Sequence, residues 1–98
     1  MITPTIHLNG TGADRLLDDV MVARTALRAA VEALAAVGPN ARDYYVQGEH
    51  AYGVARREHE EREAHFRTVA GDLDTLAESI ADQRDAIEAS RARARGGR

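Results

Sequence analysis

The residues best equipped for chemistry are gathered in one stretch of the chain. Arg42-Asp43-Tyr44-Tyr45-Val46-Gln47-Gly48, followed by His50 and Tyr52, holds all three tyrosines. A phenol ring stacks on a flat ring, and a guanidinium forks onto phosphate or carboxylate. The same pair of residue types anchors protein interfaces. The segment is therefore expected to bind a small nucleotide ligand or a protein partner. In the ligand reading, Arg42 pairs with phosphate, Tyr44 and Tyr45 stack on a base, and Asn9 or Gln47 bonds polar edges. Asp43 and His7 complete the candidate set. The structural alternative is that Tyr44 and Tyr45 plug the open end of a helical bundle, with Arg42 and Asp43 as a local ion pair.

Other constellations are weaker. His59-Glu60-Glu61-Arg62-Glu63 opens like a zinc-protease helix, but Glu63 stands where the second histidine belongs. His59/Glu63 and Glu61/His65 share the i,i+4 spacing on different faces, and no Glu-x-x-His of the di-iron kind occurs. The expectation is a solvated charged face, with no metal and no cofactor. There is no cysteine, Ser79 and Ser90 lie outside any nucleophile-elbow context, and no Gly-rich phosphate loop is present. Nothing here assembles a catalytic set, so an enzyme is not expected.

These side chains must be positioned by a small scaffold. The chain has 98 residues, enough for one domain, and its only aromatics are Phe66 and the tyrosines. The core must come from Leu, Ile, Val and Ala, which suits packed helices. The net charge of −3 argues against a duplex-nucleic-acid partner. Every cationic residue other than histidine is arginine. That reflects either a GC-rich coding bias or selection for bidentate anion recognition. No run reaches the roughly 18 apolar residues of a membrane span, and the start lacks a signal-peptide pattern, so the expected compartment is cytoplasmic.

Residues 1–10 are expected to form a short extended N-terminal arm, because Ile2, Ile6 and Leu8 alternate with Thr3, Thr5 and His7. Pro4 limits it to an edge strand or a free arm, and Asn9-Gly10 breaks it. A first helix is predicted over 11–37. Thr11 caps it, Asp14, Asp18 and Asp19 favour the positive end of its dipole, and Gly38-Pro39 stops it. Its seam runs Ala13, Leu16, Val20, Ala23, Leu27, Ala30, Leu34, Val37, in steps of three and four. The polar loop 38–50 exceeds the roughly 2–8 residues that usually join bundle helices.

A second helix is predicted over 51–93. Its charged opening is supported by Arg56–Glu60, Arg57–Glu61, Glu58–Arg62 and Glu63–Arg67 at i,i+4. Its seam then runs Phe66, Val69, Leu73, Leu76, Ile80, Gln83, Ile87, with Gly71 marking a close crossing or a bend. Residues 94–98 are expected to be a disordered basic tail. At about 1.5 Å per residue the helices span ~39 and ~64 Å. In an antiparallel hairpin Ile80 and Ile87 should then overhang. Ala26, Ala29, Ala33 and Ala36 lie off the main seam of the first helix and also need cover. The fold class expected is all-α, a two-helix antiparallel hairpin that forms a homo-oligomer with a helical-bundle core.

Thr5-Ile-His-Leu-Asn-Gly-Thr11 and Pro39-Asn-Ala-Arg-Asp-Tyr-Tyr-Val-Gln-Gly48, with the charged second helix, resemble a set of small phage and prophage proteins of unassigned function. In layout the resemblance covers most of residues 5–80. It implies an accessory protein made in the host cytoplasm during infection, and it transfers no site. Such proteins include counter-defence sponges, helical oligomers that sequester a nucleotide signal of host immunity. The size, the expected oligomer and the Arg/Tyr loop are compatible with that class. An adaptor or assembly chaperone of helical-hairpin type is the alternative. The hairpins of type VII secretion are also similar in layout, but their Trp-x-Gly turn is absent. The one Tyr-x-x-x-Glu match, Tyr45 to Glu49, falls in the loop.

Overall fold

The computed structural model describes residues 1–96. It is all-α, with two helices packed as a hairpin. α1 spans Ala13–Ala35, and α2 spans Ala51–Gly96. Two short 3-10 turns, Ala41–Asp43 and Tyr45–Gln47, lie between them. α2 is one helix of 46 residues and runs through Gly71 without a break. A Cβ built on Gly71 meets nothing within 4 Å, so this glycine marks no close crossing. The Thr68 and Thr75 hydroxyls donate to the carbonyls of Ala64 and Gly71, each at 3.1 Å, a local bond that keeps threonine inside a helix. α2 also includes residues 94–96, where a disordered tail was expected. Residues 97 and 98 of that tail lie outside the described residues.

The chain divides into two compact units. The first comprises Met1–Arg24 and Gly71–Arg98. Its centre is Ile80, 1% exposed. Leu16, Leu17 and Val20 of α1, Leu73, Leu76 and Ile87 of α2, and Pro4 and Ile6 of the arm are half-buried in the same unit. The sequence suggested that Ile80 overhangs, and the structure corrects this. Ile80 is buried within that unit, and the arm is tied to α2 one turn further on. The Gln83 side chain donates from Nε2 to the Pro4 carbonyl at 2.8 Å, and its Oε1 accepts from the Ile6 N–H at 2.8 Å. One amide thus meets a donor and an acceptor of the arm and ties residues 4–6 to α2 at Gln83. Residues 1–7 carry no strand; the arm's backbone is satisfied by a side chain rather than by a ladder. Arg24 takes a half-buried place where the seam suggested Ala23, because its guanidinium pairs with Asp74 across the helices.

The second unit is Thr25–Ala70. Here the helices meet along Leu27 and Leu34 on one side and Tyr52, Ala55, His59, Glu63, Phe66 and Ala70 on the other, all at least half-buried. The α2 seam therefore continues upstream in steps of three and four through the charged stretch. His59, read as solvated, occupies a core position and is 8% exposed. Its Nε2 stands 3.6 Å from Glu63 Oε1. Val69 is exposed and Ala70 takes its place in the seam. Arg56–Glu60 and Glu58–Arg62 form as exposed ion pairs at 3.6 and 4.0 Å.

The end of α1 is tightened by i→i−3 bonds, Ala36 N–H to Ala33 at 3.2 Å and Val37 N–H to Leu34 at 3.0 Å. Gly38 N–H then donates to Ala35 at 3.2 Å. Gly38 has no positive φ; a Cβ there would crowd the Ala35 carbonyl at 3.2 Å and reach ordinary contact with His59 Nε2 at 3.5 Å. The left-handed glycine is Gly48, with φ +119° and ψ +165°, just before α2 begins.

Candidate functional site

The loop is more ordered than its polarity suggests. Asn40 is extended (φ −112°, ψ 132°), and its side chain accepts from the Arg42 N–H at 3.3 Å. Asp43 N–H donates to Asn40 O at 3.0 Å, and Tyr44 N–H donates to Ala41 O at 3.1 Å. Gln47 N–H to Tyr44 O at 2.9 Å closes the next turn. This winding separates the two adjacent tyrosines. Tyr44 falls at the junction of the turns and is half-buried, its ring 6.5 Å from that of Tyr52 at 47°. The Arg56 guanidinium lies 6.0 Å from the Tyr52 ring centre. Tyr44 also lines a small groove of about 190 Å³ with Val37, Pro39, Ala55, Glu58 and Arg62. Tyr45 points outward, 74% exposed, and Val46 beside it is 75% exposed. Arg42, Asp43 and Gln47 are exposed as well. The loop residues therefore divide: Tyr44 packs on the helix, while Arg42, Asp43, Tyr45 and Gln47 remain available to solvent.

His7 and Asn9 belong to the first unit, the loop residues to the second. Gly10 N–H donates to the His7 carbonyl at 3.1 Å, closing a turn that exposes Asn9. The His7 imidazole rests against Gly10, its Nε2 2.8 Å from where a Cβ would stand. His7 helps to line a groove of that unit of about 470 Å³. The remaining walls are Ile6, Leu8 and Gly10 of the arm, Gly12–Arg15 at the start of α1, and Arg84, Ile87, Glu88 and Arg91 of α2. Its α2 residues share one helical face at spacings of three and four. Sequence reasoning placed Ile87 in the seam, and it passed over Arg84 and Glu88. The signal that could have found them is that spacing, carried one turn beyond Gln83.

Among the described residues no helix is long and apolar enough to cross a membrane. Among the described residues no three His, Asp or Glu side chains group as a metal site. Comparison of the chain with protein-family models, with curated proteins and with solved structures finds no match.

Proposed function

We propose that the protein acts by binding rather than catalysis, as a helical-hairpin interaction module that pairs with a second copy of itself along α1. The observation that carries this reading is α1, which has 23 residues, is rich in Leu, Val and Ala, and buries none of them fully. Within the second unit Ala26, Ala29, Ala33 and Ala36 follow one another in steps of three and four on the side away from Leu27 and Leu34, all exposed. Their small side chains let another helix approach closely, and a second copy of α1 offers the same surface in return. Ala29→Arg tests the reading. It should move the protein to monomer elution on a sizing column with its helical circular dichroism intact. An unchanged elution volume would remove α1 from the interface.

Sequestration of a small nucleotide signal by a phage-type accessory protein is a second reading. It is supported by Arg42, Tyr45 and Gln47 standing exposed together on the loop. Calorimetric titration with cyclic dinucleotides, comparing the wild type with Arg42→Ala and Tyr45→Ala, tests it directly.

A further inference from the structure

We infer that the groove between the arm, the start of α1 and the last third of α2 binds a small molecule carrying one negative charge on an apolar body. At about 470 Å³ the groove is within the roughly 300–1,000 Å³ range of ligand pockets. Ile6, Leu8 and Ile87 give it apolar walls. Leu8 is 97% exposed, an apolar side chain held at the rim with nothing over it.

The charges on the lining set the ligand's sign and number. Arg84 is engaged by Asp14 at 3.8 Å and Asp85 at 3.3 Å. Arg15 is engaged by Asp19 at 4.0 Å. Arg91 forms no ion pair among the described residues and is the cation left to receive an anion. Glu88, three residues away on the same helical face, places a carboxylate near that position. A monoanion satisfies Arg91 and clears Glu88, whereas a dianion meets repulsion. The wall opposite α2 is held in place beforehand, because Gln83 bonds the arm at Pro4 and Ile6. Preformed walls reduce the ordering cost of binding.

A naphthalene series with one apolar body and three charges tests this, read by naphthalene fluorescence in a chain without tryptophan. 2-Naphthoate should bind one per chain with a dissociation constant on the order of 100 μM, modest for a ligand of about a dozen heavy atoms. 2-Naphthamide should bind at least about tenfold more weakly, since a charge-assisted bond is roughly twice as strong as a neutral one, and 2-naphthyl phosphate should also bind more weakly because its second charge meets the Glu88 carboxylate. Arg91→Glu should weaken naphthoate at least about tenfold by the same bond, while Arg93→Glu on another face leaves it unchanged. Gly12 lines the groove and a Cβ there meets nothing within 4 Å, so the backbone accepts a side chain and Gly12→Phe should obstruct binding. Equal affinity for naphthoate and naphthamide, or wild-type affinity in Arg91→Glu, overturns the inference. The inference does not depend on self-association: Ala29→Arg should bind naphthoate as the wild type does, whatever its mass.

Discussion

Gln83 joins residues 77 and 79 positions away, so its removal is a sharp test of how the first unit is built. Gln83→Ala deletes the donor to Pro4 and the acceptor for Ile6, both at 2.8 Å. A net intramolecular hydrogen bond contributes about 0.5–1.5 kcal/mol, so the pair should hold the arm down by about 1–3 kcal/mol. At about 1.4 kcal/mol per factor of ten, that is a roughly 5- to 150-fold loss of protection for the Ile6 amide in native-state hydrogen exchange. Gln83→Glu keeps an acceptor for Ile6 but turns a carboxylate toward the Pro4 carbonyl, so its loss should be at least half as large in free energy. Wild-type exchange at Ile6 in Gln83→Ala would refute the reasoning, since the arm would then be held by something other than that amide.

The two loop tyrosines should behave differently. Tyr44→Ala removes a ring packed against Tyr52 and should cost about 1–3 kcal/mol in denaturant melts, whereas Tyr45→Ala, at an exposed position, should stay within about 0.5 kcal/mol. Two glycine substitutions should have opposite signs. Gly48→Ala forces a side chain into a glycine-only backbone region and should destabilise by about 1–3 kcal/mol, and Gly71→Ala, in open space inside α2, should stabilise by about 0.5–1 kcal/mol; thermal denaturation reads both. His59→Leu combined with Glu63→Met should be neutral or stabilising in the same melts, because it exchanges the nearly buried imidazole and its half-buried carboxylate partner together for apolar side chains at seam positions.

The two helices and the break between them were legible because they rest on local signals: apolar spacing, an acidic first turn, Gly38-Pro39 at a helix end. The phase of each seam was less so. Apolar size favoured Ala23 and Val69, but Arg24 and Ala70 lie inward, the first because Asp74 receives its guanidinium. His59 looked solvated among its charged neighbours, although Ala55 and Phe66 already carried the seam past it. Gln83 looked like a polar lapse in the seam; its partners are at the other end of the chain, and local spacing holds no trace of them. The loop's residue types suggested one flat-ring site, yet the pair of 3-10 turns sends Tyr44 inward and Tyr45 outward. The groove in the first unit needed three separate segments to meet, and of the candidate residues His7 alone lines it.

The central claim is that α1 is covered by a second copy of the chain. Light scattering on the wild-type protein across a concentration series from about 1 to 200 μM measures this directly. The account predicts a mass of at least about twice 10.7 kDa at the upper end, with a melting midpoint that rises with concentration. A mass of 10.7 kDa throughout, with a midpoint independent of concentration, would contradict it.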